Sequence, residues 1–210
     1  MIMYLVIIAV SMAVVVSINW LALGWTFLGA LSWVSIETGI EFGIIVVLTI
    51  LAGQCVPKKL YHDCKLYAVS KRELNFYHTI RVGAWKDYVC ELGALSGFSK
   101  KKVATPNDPA YIDRFLLELN KGMFVHMVCT VGAFIILFLP VPGFWSIRFP
   151  VAIVGAILNI LPIIVLRYNK PRLQMLKTRL MRNQSSAVLN NTDVAKPDTS
   201  AEQDSCDKQE

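Results

Sequence analysis

Four long apolar runs organise this chain, and they lack the alternation or the three-to-four-residue spacing of elements with one wet face. The first, Ile2 to about Leu23, rises ~30 Å as a helix, the thickness of a bilayer's hydrocarbon core. The second, residues 39–56, is short for a span and is closed by Pro57, Lys58 and Lys59. The third and fourth, residues 123–139 and 149–166, flank the turn-forming stretch PVPGFW, which predicts an antiparallel helical hairpin. Between the first two runs Trp20, Trp25 and Trp33 cluster ahead of Glu37 and Glu41, a composition that predicts an interfacial or re-entrant segment. The expected fold class is an all-α integral membrane protein with about four transmembrane helices, and residues 1–183 form its membrane domain.

Residues 57–122 break the apolar pattern with twelve Lys and Arg against seven Asp and Glu, interleaved with aromatics. Such a segment is expected to lie along the bilayer surface. Within it Asp108 to Lys121 reads as a helix, with Asp108 as N-cap and Pro109 at the first helical position. Residues 184–210 have little to bury and are expected to form a disordered tail.

Composition sharpens this picture. Of 210 residues, 55% are hydrophobic and 17% charged, above the ordinary globular apolar share. The net charge is +6, yet the first 56 residues hold no Lys or Arg. The basic excess follows the second run and follows the fourth, so the N-terminus, the loop 57–122 and the C-terminus are all expected to be cytoplasmic in a multi-pass cell-membrane protein. The start lacks the basic leader and small-residue cleavage site of a secretory signal, and reads as a retained helix. Five scattered cysteines, Cys55, Cys64, Cys90, Cys129 and Cys206, signal neither a disulfide framework nor a metal site. Phosphate-loop, dinucleotide, hydrolase-elbow and zincin motifs are absent, as is H-x-x-x-x-D, and no cofactor or nucleic-acid partner is indicated.

The chemistry-bearing residues are few. His126 stands about one turn inside the third run, where ionisable side chains usually face a cavity or a partner. Glu118 lies eight residues earlier, placed to assist His126 as a general base if one helix carries both. A histidine that only turns its ring toward headgroups is an equal reading. Asn159 sits in the fourth run and asks for a partner, most simply on another helix. The fourth run ends in RYNKPRL. From Arg167 to Arg182 there are six positive charges in sixteen residues and no acid, which suits anionic lipids. Arg167, Tyr168, Asn169 and Arg172 surround Pro171, and a proline turn there would present guanidinium forks able to hold a phosphate bidentately. In the loop, HTIRVGAWKDYV contains His78, an alternative base, and Trp85, Lys86 and Asp87, which a surface helix anchored by Trp also explains.

The order of Trp85, Lys86 and Asp87, then Gly93, Phe98 and Lys100, then Glu118 and His126, then Asn159 running into RYNKPRL, resembles the glycosyl-4,4'-diaponeurosporenoate acyltransferase family. The likeness extends over roughly residues 72–182 and is most specific from Asn159 to Leu173. It implies a small membrane enzyme that moves a fatty acyl group from an activated donor, acyl-CoA or acyl carrier protein, to a sugar hydroxyl of a membrane glycolipid. In that family this step closes a staphyloxanthin-type carotenoid synthesis. The residues then take expected roles. His126 and Glu118 are catalytic; Trp85, Lys86, Asp87, Asn159, Arg167, Tyr168, Asn169 and Arg172 bind substrate. Two other classes fit the bare residues, a lipid methyltransferase or reductase binding a nucleotide cofactor, and a non-enzymatic membrane scaffold.

Overall fold

A computed structural model describes residues 2–55, 61, 65–89, 108–139 and 143–194. Among the described residues there is no strand. Helix α1 spans Ile2–Leu21, α2 Phe27–Cys55, α3 Lys71–Thr79, α4 Val82–Trp85, α5 Pro109–Gly132 and α6 Phe149–Val194. Short 3-10 turns cover 65–67 and 86–88, α5 tightens into a 3-10 stretch over 133–138, and a π turn over 144–148 leads into α6. Four helical stretches are long and apolar enough to cross a membrane, residues 3–21, 27–55, 109–138 and 145–186. The protein is an all-helical membrane protein.

The four spans alternate in direction. Tyr4 donates to the Leu158 carbonyl at 3.2 Å and, with Met3, packs near Leu161, Ile164, Val165 and Tyr168, so α1 begins where α6 leaves the bundle. At the other end Asn19 donates to Ser146 at 3.0 Å, so α1 finishes where α6 begins. Tyr61 donates to the Ala52 carbonyl at 3.1 Å, and α5 starts on that same side with Asp108 capping the Ala110 N–H at 2.9 Å. The start of α1, the end of α2, α3, α4, the start of α5 and the end of α6 therefore share one end of the bundle, the loop end. Among the described residues the α5–α6 interface is the most extensive.

Two expectations are corrected here. The segment read as interfacial or re-entrant is part of a 29-residue helix, because the two acids that made it look wet are inside the bundle. Glu37 is fully buried and its Oε1 lies 3.5 Å from Nε of Arg148, itself 3% exposed. Arg148 also donates to the carbonyls of Leu137 and Leu139, and Asn19 to that of Val15, so a polar layer seals the far end of the bundle. Glu41 rests against Gly155, where any Cβ would collide with its carboxyl. Trp25 and Trp33 pack onto the core beside Val34 and Ile147 instead of standing among headgroups.

The expected proline turn at RYNKPRL is the second correction, because α6 runs through both Pro162 and Pro171 to Val194. Proline at 162 removes the N–H that would bond the carbonyl four residues back. That carbonyl belongs to Leu158, and Tyr4 supplies the missing donor. The helix of 46 residues is ~69 Å long, more than twice the hydrocarbon thickness, so over a third of it stands outside the membrane. It takes in residues 184–194, which composition assigned to the tail; residues 195–210 lie outside the described part, as do Gly93, Phe98 and Lys100. Helix α5 likewise joins the expected surface helix 108–121 to the third apolar run.

The buried ion pair gives a test of this packing. Arg148→Ala should destabilise the protein by about 3 kcal/mol, because it strands a buried carboxylate. Arg148→Met combined with Glu37→Gln should recover most of that loss, measured by unfolding in mixed micelles.

Candidate active site

Three polar clusters in the loop half of the bundle, each built by α6 against a neighbouring element, hold most of the expected site residues. The outermost is centred on Arg167, whose guanidinium forks onto Glu73 of α3. Nε donates to Oε1 and Nη2 to Oε2 at 2.9 Å, while Nη1 reaches the Leu66 carbonyl at 2.9 Å and Nη2 the Ala68 carbonyl at 2.8 Å. Helix α3 forms where it does because Ser70 caps it, accepting from the Glu73 N–H at 3.1 Å. Tyr77, one turn on, donates to Glu73 Oε1. The hydrogen bonds from Arg167 hold the Glu73 carboxyl below the ordinary 4.5. Burial, followed by the Glu73 bond, pushes Tyr77 up to about 12, so it stays a donor. Arg167 is thus a clamp between α6 and the 66–73 segment, and its donors are largely spent on protein groups.

The second cluster is organised by Tyr168, which is 4% exposed. Arg172 donates to its hydroxyl at 2.7 Å and stacks over its ring at 4.7 Å. His78 meets the same ring edge-on at 5.6 Å, and Gly83 lets the hydroxyl approach so closely that a Cβ there would sit 3.2 Å away. Trp85 packs into this cluster and donates to the Ile80 carbonyl at 3.1 Å. Lys86 and Asp87 follow in the 3-10 turn, half-buried and exposed respectively. Arg81, at the α4 N-cap, holds a left-handed backbone with φ of 52°, unusual for a side chain of its size. The fold thus brings Trp85 into the cluster around Tyr168 and Arg172, which lie more than eighty residues further along the chain. Asn169 is half-buried and makes no hydrogen bond among the described residues.

The third cluster is deeper. His126 Nδ1 lies 3.3 Å from Asn159 Oδ1. The amide of Asn159 is oriented by its Nδ2, which donates to the Gly155 carbonyl at 3.0 Å, so Oδ1 is left to accept. With Oδ1 as the acceptor, the Nδ1–H tautomer of His126 is the one that suits this contact. Glu118 is about 12 Å from His126 along α5, two turns toward the loop end. Its charge acts on Tyr61, whose hydroxyl is pushed up by burial first and by Glu118 second. The structure supplies an amide on α6 where the sequence reading placed a carboxylate on the same helix.

Composition also counted Lys170 among the headgroup-binding charges, and the structure removes it. Lys170 is 7% exposed and donates to the Tyr67 carbonyl at 2.8 Å and to Asn120 Oδ1 at 2.9 Å. Asn120 in turn donates to the Tyr61 carbonyl at 2.6 Å. Glu73, Asn120 and Lys170 had no signal in the sequence beyond their charge or polarity, since their partners lie 50 or more residues away.

The Glu73–Arg167 clamp makes a pH prediction. A carboxyl whose folded pKa is lowered stabilises the fold fully above its unfolded value and loses that contribution as pH falls through the folded one. Glu73→Gln should cost about 2 kcal/mol at pH 7, and the gap should close as pH drops below 4.5. Thermal midpoints of the two proteins across pH 3–7 provide the measurement.

A family model described as glycosyl-4,4'-diaponeurosporenoate acyltransferase matches residues 57–179. That interval contains all three polar clusters and more than half of the chain. No curated protein and no solved structure matches it. The chain is a membrane enzyme of the glycosyl-4,4'-diaponeurosporenoate acyltransferase family, an acyltransferase of carotenoid biosynthesis.

Proposed function

We propose that the enzyme transfers a fatty acyl group from a phosphopantetheine thioester to a sugar hydroxyl of a membrane glycolipid, at the loop end of the bundle. The observation that carries this reading is the Asn159 amide beside His126, which favours the Nδ1–H tautomer and so a basic Nε2 suited to general-base work. His126 lies about 8 Å below Lys121, the last charge of α5 before the apolar stretch, a depth that a glycolipid's sugar reaches while its chain stays in hydrocarbon. Nε2 takes the proton of the sugar hydroxyl as its oxygen attacks the thioester carbon. The carbon–sulfur bond then breaks, and the imidazolium returns the proton to the departing thiolate.

Arg172, fixed over Tyr168, holds the donor's phosphate. Asn159 and Arg172 are thirteen residues apart on α6, about 20 Å, and a phosphopantetheine arm laid along that helix joins a phosphate at one to a thioester at the other. Trp85, Lys86 and Asp87 border the Arg172 end from α4 and the turn after it. Of the two arginines expected to hold the donor, Arg172 keeps that role alone in this reading, and Asn159 takes the orienting role expected of Glu118. The basic residues of the loop end and the lysine-free, arginine-free first 56 residues favour a cytoplasmic position for this face, where thioester donors are made.

His126→Ala should lower kcat by at least about a hundredfold with the fold intact, in a transfer assay on reconstituted protein. Asn159→Ala should lower kcat by about tenfold and shift the pH–rate profile, since it frees the imidazole to exchange tautomers. Arg172→Lys should raise the donor KM about tenfold with little change in kcat if the fork geometry matters. Normal turnover by His126→Ala would sink the base assignment.

A further inference from the structure

Beyond Arg172, α6 continues outward with an arginine stripe that the chemistry so far does not use. Arg172, Met175, Arg179 and Arg182 are exposed and recur at helical spacing along one side of the helix. The opposite side is occupied, by Leu173 against Phe115 and by Lys177 paired with Asp113 of α5 at 2.6 Å. Among the described residues the guanidinium groups of Arg179 and Arg182 have no hydrogen bond and no carboxylate partner.

Three charges over three turns exceed what one phosphate needs, and their height decides what they meet. From Arg167, the first charge after the apolar run, to Arg182 is about 22 Å along the helix, whereas a headgroup layer is about 5–8 Å deep. The Lys177–Asp113 bridge keeps α6 alongside α5 over this stretch, so Arg179 and Arg182 stand clear of lipid. A nucleotide fits poorly as well. An open cleft of about 680 Å³ runs beside Pro171, Met175, Arg179 and Arg182, but α6 offers it no aromatic residue beyond Tyr168 on which an adenine could stack.

We propose that this stripe docks an acidic acyl carrier protein, which presents its phosphopantetheine thioester to the site below. The inference rests on the acyltransfer reading and names the donor's carrier. Charge complementarity of this kind acts mainly on encounter and specificity and is weakened by salt. The carrier's phosphoserine then lies at Arg172, the lowest rung of the stripe, and its arm descends along α6.

The test uses the full-length protein in nanodiscs of phosphatidylcholine, titrated with the holo form of an acidic bacterial acyl carrier protein. Binding should weaken by about tenfold between about 50 and 300 mM salt, and by at least about tenfold in the double variant Arg179→Glu/Arg182→Glu, with helical content unchanged. In the transfer assay the same variant should raise KM for the carrier-bound thioester by about tenfold and that for acyl-CoA by less than about twofold. Carrier binding equal to wild type in the double variant overturns the proposal. So does an equal KM rise with acyl-CoA, which makes the face a nucleotide contact, or binding of phosphatidylglycerol vesicles that excludes the carrier. Carrier binding that appears only after removal of residues 195–210 also overturns it, since the acidic tail is then the occupant. Absence of transfer from both donors counts against the acyltransfer reading alone, because carrier binding is read without turnover.

Discussion

A charged or hydrogen-bonding group inside hydrocarbon has no water to fall back on, and the arrangement of this protein follows from that constraint. Hydroxyls such as Ser35 and Thr38 bond back to their own helix, while the larger polar residues within the spans turn toward another one. Glu37 meets Arg148, Asn19 meets Ser146, Asn159 meets His126, and the carbonyl released by Pro162 meets Tyr4. These contacts fix the rotation of each helix about its own axis more sharply than apolar packing does, because lipid tails compete equally for apolar faces. The exposed Leu, Val and Ile along α1 and α2 illustrate the other half of the rule, since they face lipid and specify little.

Helix α6 links structure to chemistry. Its inner third follows directly on Arg148 of the polar seal and carries Asn159, and its middle third holds Arg167, Tyr168, Lys170 and Arg172 within six residues. Side chains so close in sequence point to different sides of the helix and are used differently. Arg167 is tied to α3, Lys170 to α5 and the turn before α3, and Arg172 is left at the surface beside Tyr168. The two tied cations hold the surface elements against the bundle and so place Trp85 and His78 around Tyr168. The third is exposed and, among the described residues, bonded only to its neighbour Tyr168, an allocation set by helical rotation.

The deep His126–Asn159 pair and the shallow Arg172 cluster lie at different depths. In the proposed function, a long flexible thioester arm with its phosphate at one end spans that separation. The same continuity of α6 extends into the aqueous phase, where the arginine stripe begins at the donor end.

The sequence by itself determined that the chain is a helical membrane protein, which family it joins, and where its third and fourth spans turn. Those features reside in local composition, in apolar runs of spanning length and in a contiguous motif, and composition is read along the chain. Only the tertiary structure decided that residues 27–38 belong to a span, that RYNKPRL is helix, that Arg167 and Lys170 bond to other protein groups, and that Asn159 lies beside His126. Glu37 and Glu41 look like water-facing residues until Arg148 and Gly155, more than a hundred residues away, are brought beside them. Pro171 looks like a turn until the contacts of α6 with α3 and α5 outweigh its missing hydrogen bond. A residue's role here depends on what lies across the bundle from it, and a one-dimensional pattern does not contain that pairing.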